Sequence, residues 1–249
     1  MDDEVEDIVA VVGRVKGERT RRELDKHVEP TIEQFFVPWD SISADDVQGY
    51  EGVLGLATDE RPLQKYLESR PVLLVQHLGG GHGRWVIPQP RLGAEFVPDF
   101  MIAEKSSLGF EWTAVELENP SVSSFTQGGD PSAALSHAIR QIEDWRGWLT
   151  VNQAYADRPR DSNGLGLRNI DGEVPGLILI GRRGSSEPQN VVDRRRRLGH
   201  KLAIQVHTYD WLADMARGRV RALTEARLQL DEAAAESQRR DGGAAERDS

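Results

Sequence analysis

Between Phe96 and Val206 short apolar runs alternate with one strongly patterned helix, and that order leaves few folds open. Residues 96–103 and 112–118 read as strands, and the polar stretch 104–109 is the right length for a turn between them. Asp130 then supplies a good N-cap, and Pro131 fits the first helical position, where its missing N–H costs nothing. Leu135, Ala138, Ile139, Ile142, Trp145 and Leu149 recur at three- and four-residue spacing, which makes one buried stripe. Leu177-Ile178-Leu179-Ile180 is the next strand, ended by Gly181-Arg182-Arg183. Charged helix-like sequence leads to a further strand at 202–206, and Trp211-Leu212 opens a last helix. Upstream, residues 62–68 read as a short helix stopped by Pro71, and Val72-Leu73-Leu74-Val75 as a compact strand. Gly79 to Gly83 look like a hairpin tip before Trp85-Val86-Ile87. A meander followed by crossovers predicts an α/β fold with a mixed central sheet flanked by helices.

The 249 residues suffice for one substantial core. Three segments are expected: a helical or regulatory segment over 1–60, the main domain over 61–222, and a charged tail over 223–249, helical and then fraying through Asp241-Gly242-Gly243. Within the first, about 25 residues alternating charge with Val and Ile read as helix. No apolar run approaches the roughly 20 residues of a membrane span, so no membrane partner is expected. The acidic start Met1-Asp2-Asp3-Glu4 is unlike a secretory signal and points to the cytoplasm. The absence of cysteine removes disulfides, thiolate nucleophiles and zinc–cysteine sites from consideration. A net charge of −10 argues against a simple nucleic-acid coat. The charge is uneven, however: residues 182–221 hold ten Lys/Arg against four acids, a net of +6 that permits a DNA-facing patch.

Two carboxylate groups interrupt the apolar strands. Pro98-Asp99 breaks the first, and Val115-Glu116-Leu117-Glu118 ends the second. Alternation sends Val115 and Leu117 to one face and Glu116 and Glu118 to the other. Pairing through the short turn would bring Asp99 near Glu116, where their mutual repulsion is relieved by a divalent cation. Magnesium suits such a site, because it takes hard oxygen ligands from one or two carboxylates, water and substrate phosphate. Strand-end carboxylates are also commonly just solvated. Here the order of Pro-Asp, Glu-x-Glu and a helix bearing Gln141 singles them out.

Pro98-Asp99 followed by Glu116-Leu117-Glu118 resembles the PD-(D/E)XK nuclease motif. The wider text resembles the Shedu family of bacterial anti-phage proteins over roughly 62–215. It does so in Leu63-Gln64-Lys65-Tyr66-Leu67-Glu68, Glu95-Phe96-Val97-Pro98-Asp99-Phe100, Trp112 through Pro120, His137 through Trp145, Leu179-Ile180-Gly181-Arg182 and His207 through Leu212. The resemblance implies a restriction-endonuclease-like PD-(D/E)XK core and a metal-dependent DNA endonuclease. Asp99 and Glu116 would hold Mg²⁺, with Mn²⁺ as an alternative and the Leu117 carbonyl as a third ligand. Gln141 would lie near the active site, and Glu68 is a candidate for an additional acid. A homo-oligomer is implied as well. Glu118 departs from the pattern: the position usually holds the lysine that orients or activates the attacking water. A glutamate there can act as metal ligand or general base, and Lys105 in the preceding turn is a candidate stand-in. The alternative is a catalytically inactive member of the fold that binds or senses nucleic acid or a partner protein; an unrelated carboxylate hydrolase such as a glycosidase is a more distant one.

Arg182, Arg183, Arg194, Arg195, Arg196 and Arg197 are candidate phosphate contacts, which position DNA without reading its sequence; a solvated helix face is the simpler reading of the four-arginine run. Gly79 to Gly83 lack the Lys-Ser/Thr of a phosphate-binding loop. His82, His137, His200 and His207 show no metal-ligand spacing, and Ser123-Ser124 lie in no nucleophile elbow. Trp145 and Trp148 read as core residues.

Overall fold

In the computed structural model of the chain the described residues are 32–79, 81–184 and 189–245. The chain divides into two compact units, residues 29–217 and residues 1–28 with 218–249. The helix expected over the first 25 or so residues lies outside the described ones. Within the larger unit two helices precede the sheet: α1 (Ala44–Leu56) and α2 (Arg61–Ser69). A capping box starts α1. The Ser43 hydroxyl accepts from the Asp46 N–H at 3.2 Å, and the Asp46 carboxylate accepts from the Ser43 N–H at 2.9 Å. Pro62 sits in the first turn of α2, and Pro71 follows its end.

The sheet has five strands in sequence order: β1 (Arg84–Pro88), β2 (Phe100–Ser106), β3 (Gly109–Leu117), β4 (Gly176–Leu179) and β5 (Ile204–His207). The first three form an antiparallel meander, and β4 and β5 join in parallel, which makes the mixed α/β sheet expected from the element order. Both parallel connections carry helices, α3 (Ala133–Asp157) before β4 and α4 (Gln189–Leu202) before β5. A last helix, α5, runs Tyr209–Ala245, and its bounds include Asp241-Gly242-Gly243.

The apolar stripe of α3 packs on one sheet face. Leu135, Ala138, Ile142, Trp145 and Leu149 meet Met101, Ala114, Ile178, Ile204 and Val206 in one buried cluster, joined by Leu198 and Leu202 of α4. The alternate strand residues Phe100, Ile102, Val115, Leu117, Leu177 and Leu179 point the other way. There the buried side chains of Tyr50, Leu63, Leu67, Tyr209 and Leu212 supply a second core.

Three local expectations are corrected. Val72-Leu73-Leu74-Val75 is a 3₁₀ turn, not a strand; all four side chains are buried, and a continuous apolar run does not distinguish a buried strand from a buried helical turn. Gly79 to Gly83 therefore join that turn to β1 and are no hairpin tip. The N-cap of α3 is Ser132, whose hydroxyl accepts from the Leu135 N–H at 3.2 Å. Asp130 is held in the preceding loop, its N–H donating to the Thr126 hydroxyl and its carbonyl accepting from the Thr126 N–H.

Gly181, just past β4, fixes the loop that follows β3. Its φ is +70°, and a Cβ there would lie 2.4 Å from the Val122 carbonyl oxygen. Its N–H donates to the Asn119 carbonyl at 3.2 Å. Gly181→Ala is therefore expected to destabilise the protein by about 1–3 kcal/mol through overpacking and backbone strain. Thermal unfolding checks this; an unchanged melting temperature would mean that the 119–122 loop yields freely.

Candidate active site

The register of β2 and β3 builds the site. Phe100 pairs with Val115, so Asp99, one step before β2, faces Glu116, the penultimate residue of β3. The Asp99 carboxylate accepts from the Leu117 N–H at 2.7 Å, and the Asp99 and Glu116 side chains hydrogen-bond to each other. Glu116 is 7% exposed and is the only buried acid among the described residues. From α3, the Gln141 side chain hydrogen-bonds to Glu116, while its Oε1 is buried without a partner. Glu118 follows directly. Its carbonyl accepts from the Tyr209 hydroxyl at 2.7 Å, and the Tyr209 carbonyl accepts from the Tyr50 hydroxyl at 3.1 Å. The expected group of Asp99, Glu116, Leu117, Glu118 and Gln141 is thus brought together.

Burial and mutual repulsion set the protonation. Burial raises the pKa of Glu116 most, and the charges of Asp99 and Glu118 add to it against the Gln141 hydrogen bond. Burial also raises Asp99; the Leu117 N–H opposes the shift, and Glu60 and Glu68 reinforce it. Glu118 is raised by burial first and then by Glu60. Two such carboxylates in contact share one proton between them, the state that a divalent cation replaces. Among the described residues no three Asp, Glu, His or Cys side chains converge as a ready metal cage. Two carboxylates, both hard oxygen donors, nevertheless fit magnesium, which keeps several waters and takes phosphate oxygens from its substrate.

Sequence reasoning reached Glu68 but missed Glu60, which stands at the N-cap of α2. The signal was present: Glu60, Gln64 and Glu68 recur every four residues and so share one face of the helix. Tyr209, the buried partner of the Glu118 carbonyl, was also missed; nothing in its spacing marks it. Lys105 is not a stand-in for the motif lysine. It lies over the Phe110 ring at 4.8 Å, near the opposite end of β2 from Asp99.

The nominated arginines are spread out. Arg182 pairs with Asp210 at 2.9 Å and donates to the Leu54 carbonyl, and Arg183 pairs with Asp214. At the carboxyl ends of β4 and β5, a cavity of about 590 Å³ is lined by Ser121, Ser124, Thr126, Gln127, Arg182 and Arg195; Glu118 does not line it. Arg196 lines a second cavity with His200 against β5, and Arg194 and Arg197 line a third with Lys201. His82, His137 and His200 are exposed. His207 stacks on Trp211 with ring centres 3.9 Å apart, and His77 packs on the same ring at 5.1 Å. Trp145 is buried in the core and Trp148 packs at its margin.

Fold and site together define a mixed-sheet α/β protein with a buried carboxylate centre at the end of its antiparallel hairpin. The chain belongs to the Shedu family: the family described as Shedu protein SduA, C-terminal, matches residues 57–213, a span that contains every residue of the cluster from Glu60 to Tyr209. That membership suggests a part in anti-phage defence. No curated protein matches the chain. No described helix is long and apolar enough to cross a membrane.

The titrating groups oppose one another in their effect on stability. The carboxylates titrate above their unfolded range, so the folded protein holds the extra proton. Their contribution is full below about pH 4.5 and declines as the pH rises. Burial, aided by Arg84 for His77 and by Arg195 for His207, pushes both histidines down to about 4 from 6.5. Their contribution is full above pH 6.5 and is lost as the pH falls toward 4. Melting temperatures of metal-free protein across pH should show both slopes, and Glu116→Gln should flatten only the alkaline one.

Proposed function

We propose that this chain is a divalent-metal-dependent DNA endonuclease with a PD-(D/E)XK core, acting in a Shedu-type anti-phage system. The carrying observation is the Asp99–Glu116 pair at the open end of the β2–β3 hairpin: the two side chains hydrogen-bond to each other, and the Asp99 carboxylate also accepts from the Leu117 N–H. Strand-end acids that were merely solvated would separate into water; here Glu116 is buried, Asp99 is partly buried against it, and both pKa values are raised. Asp99 and Glu116 would hold Mg²⁺, or Mn²⁺, with the Leu117 carbonyl as a further ligand. When bound, the ion would lower the pKa of a water and neutralise charge on the phosphate.

The remaining roles fall to the chain. Gln141, with its unpartnered Oε1, orients the attacking water by accepting one of its protons in a hydrogen bond. Glu118, half-buried with a raised pKa, accepts the other proton as the water oxygen forms its bond to phosphorus. The bond from phosphorus to the leaving deoxyribose oxygen breaks in line, and that oxygen takes up a proton from solvent. One water is consumed, and a phosphate end and a hydroxyl end are formed. The cavity at the carboxyl ends of β4 and β5, with its hydroxyls, Arg182 and Arg195, suits the DNA backbone on the side leading away from the cut.

A second reading is a catalytically inactive member that binds or senses nucleic acid or a partner protein. Glu118 in place of lysine favours it. Plasmid and linear-DNA cleavage by wild type and Glu116→Ala, with Mg²⁺, with Mn²⁺ and with EDTA, separates the two. The nuclease reading expects metal-dependent cleavage that Glu116→Ala abolishes, and a rise in melting temperature with either metal. No cleavage by folded protein with any metal would leave the binding role.

A further inference from the structure

Two cavities meet at one arginine. The cavity of about 590 Å³ at the carboxyl ends of β4 and β5 and the one of about 580 Å³ between β5 and α4 both have Arg195 in their walls. They also divide chain neighbours between them: Val191 and Thr208 line the first, Val192 and His207 the second. The two adjoin across these residues and make one track over the end of β5 and along α4. The sequence holds 41 Asp and Glu against 31 Lys and Arg, yet no acid among the described residues lines either cavity. Arg182 in the first is held by Asp210, while Arg196 and His200 line the second. An acidic protein has thus kept acids out of one continuous concave surface and placed a half-buried arginine at its middle.

We propose that this track takes an unpaired strand of DNA, with Arg195 on the phosphate that joins the nucleotides seated in the two cavities. The proposal rests on the nuclease reading above for the use made of the strand, and adds to it the form of the substrate. Each cavity falls in the range of roughly 300–1,000 Å³ that takes a small organic ligand, the size class of one nucleotide. A duplex carries its phosphates on a convex surface and cannot bring one to an arginine recessed between two hollows. The guanidinium suits the role, because its planar fork takes two phosphate oxygens at once. Ser121, Thr126 and Thr208 in the first cavity offer hydroxyls to the backbone. His200 and Gln205, both exposed in the second, offer a ring face and an amide to unstacked bases.

The test measures fluorescence anisotropy of a labelled oligothymidylate of about 12 nucleotides with the full-length chain in EDTA. The same oligomer as a duplex, oligouridylate and poly-glutamate serve as competitors. Oligothymidylate should bind more tightly than all three. Arg195→Ala should weaken it about tenfold or more and lower the slope of log affinity against log salt by about 0.7, the share of one phosphate contact on a single strand. Val192 is 39% exposed on the track wall, so Val192→Glu adds an acid there without disturbing the core and should weaken binding as well. Arg197→Ala removes the same charge from the same helix but from the wall of a different cavity, and should bind as wild type does. If the melting temperature shows Arg195→Ala misfolded, Val192→Glu decides. Duplex or poly-glutamate that competes equally would overturn the unpaired strand, and a preference for oligouridylate would overturn DNA. Wild-type affinity in the track variants, or an equal loss in Arg197→Ala, would overturn the track. Because no metal is present, failure to bind sinks this proposal alone, and failure to cleave with Mg²⁺ or Mn²⁺ sinks the nuclease reading alone.

Discussion

The contact on which the rest of the structure depends is the one between Asp99 and Glu116. Two carboxylates held in hydrogen-bonding contact and largely out of water oppose folding unless they share a proton or meet a cation. The fold keeps them there by backbone means. The antiparallel register sets Asp99 opposite Glu116, and the Leu117 N–H, at 2.7 Å, is spent on the Asp99 carboxylate. Gly181 clamps the chain that leaves β3, and the Tyr50–Tyr209–Glu118 series of hydrogen bonds fixes the carbonyl that follows the pair. The cores on both faces of the sheet supply the stability against which this local repulsion is tolerated.

That arrangement explains why so much of the site comes from backbone geometry and so little from a helix lined with ligands. Asp99 and Glu116 sit on rigid strand ends, where a displacement of one residue in register would turn Glu116 to the opposite face. Gln141 reaches the pair from α3 and the charges of Glu60 and Glu68 on α2 act on Asp99, so two helices bear on the ends of the interior strands β2 and β3. The histidine–tryptophan stack of His77, Trp211 and His207 is a separate, half-buried group, and its stability contribution runs against pH in the opposite sense.

The central part of this was legible in the sequence because period and punctuation agreed there. The alternation at Val115-Glu116-Leu117-Glu118, the stripe of α3 and the apolar runs of β4 and β5 each had one reading, and the mixed sheet followed from their order. Val72-Leu73-Leu74-Val75 misled because full burial erases periodicity: with every side chain inside, a turn and a strand look alike. The cap of α3 was displaced from Asp130 to Ser132 because both are good caps, and the Thr126–Asp130 turn decides between them. Glu60 and Tyr209 were missed because each joins the site through tertiary packing: α2 folds over the start of β2, and Tyr209 lies 91 residues from the carbonyl it holds.

The order in which these parts leave the ribosome has a consequence of its own. Synthesis delivers α1, α2 and the β1–β3 meander first, so the acids exist before Gln141 does. Parallel β4 and β5 arrive later still, and with them Gly181, which clamps the 119–122 loop, and Tyr209. A nascent or truncated chain therefore carries the acids without the glutamine and the clamp that complete the site. The centre is finished only when the last strand has been paired.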